Sequence, residues 1–122
     1  MMPDAGTTLR SFYEAVARKD LATAKQYLDP TLTFFGLFET YRSAEEYLAA
    51  LGGLLSITKR LDVETIVAQG EDAAVFFELE TMAPAAAITL VAEWHKVLGG
   101  RIVQVRSAFD GRPFEALFTQ KN

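Results

Sequence analysis

The chain has 122 residues, half of them apolar and nine of them Phe, with one His, one Trp and no Cys. That is one domain of ordinary size with enough apolar surface for a real core; the missing cysteines exclude disulfides, thiolate catalysis and Cys-ligated metals. Its 12 basic and 16 acidic residues, net −4, are interspersed without a basic stripe, which argues against a nucleic-acid partner. No run of about 18 apolar residues could span a membrane. The opening MMPDAGTT has neither the charged nor the apolar region of a signal peptide, so a cytoplasmic protein is expected.

Thr7 or Thr8 can cap a first helix running to Arg18, with Leu9, Phe12, Tyr13, Val16 and Ala17 on one buried stripe. Asp20 is a good N-cap for a short second helix bearing Leu21, Ala24 and Leu28, which Asp29-Pro30 should stop. The β-branched and aromatic run 31–38 reads as a strand. Ser43 and Glu46 have the spacing of a capping box for a third helix with Ala44, Tyr47, Leu48, Leu51 and Leu55 inside. From residue 58 the period becomes two. Strands are expected at 58–69, 73–82, 87–98 and 101–110, the last two joined by Gly99-Gly100. In 73–82, Val75, Phe77, Leu79 and Thr81 make an apolar face, while Phe76, Glu78, Glu80 and Met82 make a mixed one. Helices followed by an antiparallel meander give one α+β domain over 1–122, with no repeat or linker.

A two-residue turn pairs Leu98 with Arg101, and counting back sets Glu93 opposite Arg106, His95 opposite Gln104 and Trp94 opposite Val105. The face holding Trp94, Val103 and Phe109 is the more apolar, which would turn Glu93 and His95 outward. One β-bulge would reverse this, and the sequence leaves the parity open.

Several segments carry a resemblance: Phe12-Tyr13-Glu14-Ala15-Val16 with Asp20-Leu21, Ala92-Glu93-Trp94-His95-Lys96-Val97, Gly99-Gly100-Arg101-Ile102, Phe109-Asp110 and Arg112-Pro113-Phe114. The chain resembles the SnoaL-like branch of the nuclear-transport-factor-2-like superfamily, whose fold is an α+β cone. The resemblance implies three N-terminal helices packed in the concavity of a strongly curved, mainly antiparallel sheet, with a deep apolar pocket at the open end. Its members include ketosteroid isomerases, polyketide cyclases, epoxide hydrolases and dehydratases, alongside non-catalytic binders, so the fold alone selects no reaction. Residue by residue the chain departs from these enzymes. Phe12 stands at the isomerase oxyanion-hole tyrosine, with Tyr13 one step round, and Phe34-Phe35-Gly36 stands where the isomerase base would be. Glu93 matches the second oxyanion donor. His95 matches the cyclases, whose acid falls near Ser107. The Arg and two Asp of the epoxide hydrolases are missing.

These residues define the expected site. His95 and Glu93 are the catalytic candidates. His95 reads first as a histidine satisfied on a sheet face or at a dimer interface, and alternatively as acid, base or polar anchor. Glu93 reads first as a cross-strand ion pair with Arg106, and alternatively as a buried carboxyl of raised pKa. Tyr13, Phe35, Tyr47, Trp94, Ser107 and Asp110 are candidates for ligand contact. Tyr13, Tyr47 and Phe35 read equally as core, and Asp110 as a turn-former beside Gly111. Tyr41-Arg42 would lie at a pocket rim or in solvent. One His and scattered carboxylates make no metal cluster, and no cofactor is expected. The expected ligand is a small hydrophobic organic molecule, handled by isomerase, cyclase or hydrolase chemistry. The alternative is a non-catalytic module, and a homodimer through the sheet is expected in either case.

Overall fold

The computed structural model describes residues 4–119; Met1–Pro3 of the opening stretch lie outside the described residues. Helix α1 (Ala5–Ala17) is capped by Asp4, whose carboxylate accepts from the Thr7 backbone at 2.7 Å, so Thr7 and Thr8 sit inside the helix rather than at its cap. Helix α2 (Leu21–Lys25) is capped by Asp20 as its sequence predicts, but it ends at Lys25 and leaves Leu28 to a strand. Helix α3 (Ala44–Ser56) starts at Ser43, whose hydroxyl accepts from the Glu46 backbone at 3.1 Å. The Glu46 carboxylate reaches back to the Arg42 N–H, one residue beyond the usual capping-box partner.

The strands are β1 (Leu28–Phe35), β2 (Thr40–Tyr41), β3 (Thr58–Gln69), β4 (Asp72–Thr81), β5 (Ala87–Leu98) and β6 (Arg101–Ala108). They form one sheet in the order β2-β1-β6-β5-β4-β3, in which only β1 and β6 run parallel. Two features depart from the reading above. Strand β1 begins before Pro30, which is tolerated because the β1–β6 ladder is irregular between Leu28 and Thr33 and needs no N–H there. A 3-10 turn (Arg112–Phe114) and a short helix α4 (Glu115–Thr119) follow the sheet, in a segment to which the sequence reading assigned no helix.

Helices α1 and α3 lie on one face of the sheet. The core joins Leu9, Phe12 and Val16 of α1 and Leu55 of α3 to Val75, Leu79, Val97, Ile102 and Val105 of the strands. Strand β4 alternates as its sequence predicts, with Val75, Phe77, Leu79 and Thr81 inside. The hairpin turn has Gly99 at φ 57° and Gly100 at φ 76°, the pair of positive values that a type I′ turn demands.

The hairpin also contains the feature that decides the site. Leu98 pairs with Arg101 and Val97 with Ile102, but Lys96 pairs with Gln104, leaving Val103 as an extra residue on β6. Beyond this bulge every pairing moves by one: Glu93 lies opposite Ser107, His95 opposite Val105 and Trp94 opposite Arg106. The simple two-residue count is therefore wrong past Val103, and the facing reverses with it. Glu93 and His95 point inward; Trp94 points out.

Candidate functional site

Between α1, α3, β1 and the inner face of β4–β6 lies a cavity of about 170 Å³. Its walls are apolar and strongly aromatic, with Phe12, Phe34, Tyr47 and Phe77 around its depth and Phe38, Phe109, Phe114 and Phe118 also on its lining. Phe34 stacks on Tyr47 with ring centres 5.0 Å apart, and Tyr13 meets Phe12 edge-on at 5.0 Å. The polar lining is sparse: Tyr13, Glu39, Tyr41, Tyr47, Thr89, Glu93 and Ser107.

The polar centre is a triad drawn from two elements. Tyr13, on the buried stripe of α1, donates its hydroxyl hydrogen to Glu93 Oε1. His95 Nε2 is 3.0 Å from the same hydroxyl oxygen but 3.6 Å from Glu93 Oε1, too far for a direct hydrogen bond. Because the Tyr13 hydrogen is committed to Glu93, the Nε2 of His95 carries the hydrogen of the other contact and donates it to Tyr13. The chain of donation runs from His95 through Tyr13 to the carboxylate. Glu93 and His95, two residues apart on β5, share one face by the period of the strand. His95 is fully buried, lies off the cavity wall, and has no partner for Nδ1 among the described residues.

Burial alone would raise the Glu93 carboxyl; contact with His95 and its charge, then the Tyr13 and Ser107 hydroxyls, outweigh that and hold it below its ordinary value. The expectation of a raised pKa is thus reversed by the donors that surround the group. Tyr13 is pushed well above 10.0, first by burial and then by the charge of Glu93, so it remains a neutral donor. Tyr47 is raised for the same two reasons.

The structure brings Glu93, Tyr13, Tyr47 and Ser107 to the cavity, with His95 directly behind Tyr13. It places three other candidates elsewhere. Trp94 is 46% exposed on the outer face, where its Nε1 donates to Asp72 at 2.9 Å. Phe35 also faces away from the cavity, with the Arg106 guanidinium 5.8 Å above its ring; Phe34 takes the wall position instead. Arg106 is therefore no partner of Glu93. Asp110 forms an exposed bidentate pair with Arg112, which holds its carboxyl down to about 2, and acts as a turn residue. Sequence reasoning missed Thr89, whose place at the spacing i, i+2, i+4 before Glu93 and on its face was available in the alternation of β5. It also missed Phe114 and Phe118, one helical turn apart. Tyr41 lies in β2 and on the wall rather than in a loop. Among the described residues no group of three or more His, Asp or Glu side chains could hold a metal ion, and no helix is long and apolar enough to cross a membrane.

Residues 9–105 match the SnoaL-like domain family. No curated protein matches the sequence significantly. Among solved structures, a protein from Kribbella flavida superposes with a TM-score of 0.85 at 23% identity, over 96% of this chain and 95% of its own. A nuclear-transport-factor-2-like protein from Cytophaga hutchinsonii gives 0.82 at 16% identity, over 94% and 97%. An LEH-like epoxide hydrolase from Mycobacterium tuberculosis gives 0.78 at 18% identity, over 98% and 92%. At these identities the likeness is one of fold.

Proposed function

The chain belongs to the SnoaL-like domain family, of nuclear-transport-factor-2-like fold, and from that premise we propose that it binds a small hydrophobic organic molecule and exchanges a proton with it through Glu93. In this reading the sheet wraps the helices as a cone and the cavity is its ligand site. The observation that carries it is a buried carboxylate, Glu93, on the wall of a mostly apolar cavity, oriented by a buried tyrosine and histidine. Such a group is costly to a fold, and water exclusion makes it a stronger base toward a bound molecule than toward solvent. Glu93 is the proton acceptor, and Tyr13 and His95 position it and stabilise its charge.

The test is a panel of small cyclic molecules bearing hydroxyl, carbonyl or amino groups, followed by thermal shift and by deuterium incorporation from D2O. At least one class should raise the melting temperature, and Leu51→Trp, which fills the cavity, should abolish that shift. Deuterium incorporation at carbon, the only position that does not exchange freely with D2O, should disappear in Glu93→Gln. Binding that survives Leu51→Trp would end the reading. Binding without deuterium incorporation would favour a second one, a non-catalytic binder. The exposed Ile88, Leu90 and Val67 on the sheet's outer face favour a second copy of the chain covering that face in either case.

A further inference from the structure

We propose that the molecule bound in this cavity is a small hydrophobic amine, held as its ammonium ion by Glu93. This rests on the reading that the cavity is a ligand site and names the chemical class of its occupant. The first observation is the sign of the charge on the wall. Among the described lining residues the charged side chains are Glu93 and Glu39; there is no Lys, Arg or His. An anion would be repelled. A neutral apolar molecule would strip water from the carboxylate and return nothing.

The second observation is the direction of the hydrogen bonds. His95 donates to Tyr13, and Tyr13 donates to Glu93, so both hydrogens are spent on ordering the carboxylate. What the triad turns toward the cavity is therefore an acceptor. A ligand whose polar atom is a carbonyl finds no hydrogen on the carboxylate itself, whereas an ammonium brings the hydrogens that the carboxylate lacks. His95 lies behind Tyr13 and off the wall, so the group of the network that faces the ligand is the carboxylate. The third observation is the remaining wall. Phe12, Phe34, Phe77 and the ring of Tyr47 make a low-dielectric aromatic lining that strengthens the charge pair and accepts the hydrocarbon part of an organic cation.

The test is an NMR titration of the full chain, at constant ionic strength, with three probes of matched shape: benzylamine, benzyl alcohol and benzoate. Benzylamine should bind at least about tenfold more tightly than benzyl alcohol, as a charge-assisted contact to a carboxylate requires, and benzoate should be weakest. Glu93→Gln should bring benzylamine down to the level of the alcohol in the same variant. A second readout needs no variant: the carboxyl carbon resonance of Glu93 in the wild-type chain should move as benzylamine saturates. Equal affinity for amine and alcohol, a preference that survives Glu93→Gln, or a Glu93 resonance unmoved by bound amine would each overturn the inference. Binding of the alcohol without the amine would overturn it while leaving the ligand-site reading intact. Failure of all three probes to bind would overturn both.

Discussion

Strand β5 has two faces, and the one turned to solvent is the more apolar. Ile88, Leu90, Trp94 and Leu98 project outward and are largely exposed, while Thr89, Val91, Glu93, His95 and Val97 project inward and are buried. Hydrophobicity alone would assign these faces the other way round. The inversion is tolerable because the inward polar groups satisfy one another, through Tyr13 and Ser107, at little net cost. The outward apolar groups are flanked by ion pairs that keep the sheet soluble, such as Arg60 with Glu78 and Glu80 and Lys96 with Asp72. A buried polar cluster beside an exposed apolar surface is the reverse of what burial by hydrophobicity alone produces, and it is the contrast on which the two proposals rest.

The most severe way to break the comparison is to move one strand of the hairpin out of phase with the other. Deleting the unpaired Val103 would leave Val97–Ile102 and Lys96–Gln104 in place as a regular ladder, whereas deleting Val97 leaves β5 one residue short between the turn and Lys96 and drives it out of phase with β6. The two faces cannot both be kept, and stability should fall by more than about 3 kcal/mol in urea denaturation. Next in size is His95→Leu, which keeps the volume but takes the donor from Tyr13. It should cost about 3 kcal/mol, because a buried charged network loses one member while Glu93 stays. Tyr13→Phe alone should cost less, about 1–2 kcal/mol, and the two changes should be strongly non-additive in a double-mutant cycle. Additive costs would show that the triad is not one network.

The acid limb of the stability curve is a subtler probe. The folded pKa of Glu93 lies below its ordinary value of 4.5, so its contribution is fully present above 4.5 and is lost as pH falls through the lower folded value. The difference between wild type and Glu93→Gln should therefore open as pH rises from 3 to 5 (roughly, by the linkage relation) and stay level above that. A difference that grows toward acid would mean that the carboxyl is protonated in the fold. The smallest stability effect belongs to the outer face. Ile88→Lys with Leu90→Lys should leave monomer stability within about 0.5 kcal/mol. The same pair should abolish self-association in sedimentation velocity if a second copy covers that face.

Much of this architecture was legible in the residues. The period-two strands, the Gly99-Gly100 turn and the Asp20 and Ser43 caps each follow from local chemistry that the structure leaves unopposed. Candidate site residues were legible as types: a lone His and a Glu two apart on a strand share a face whichever way it points. Which way it points was not legible, because the bulge at Val103 sits in Ile102-Val103-Gln104-Val105, a run with no Gly or Pro to announce it. That one residue misassigned Trp94 to the interior and gave Glu93 the wrong cross-strand neighbour. Strand β1 failed differently. Pro30 reads as a boundary, yet here it falls where the β1–β6 ladder has a gap, and the resulting shift left Phe34 rather than Phe35 on the cavity wall.

The position of Trp94 has a further use. The chain holds a single tryptophan, half-exposed on the outer face beside Arg106 and hydrogen-bonded to Asp72, while its neighbours on the strand, Glu93 and His95, face the other way. Its emission is thus an optical gauge of one side of the sheet only. A blue shift with rising protein concentration would register something settling over the outer face, whereas filling the cavity should leave the spectrum nearly still. One fluorophore thus separates the two proposed events, filling of the cavity and covering of the outer face.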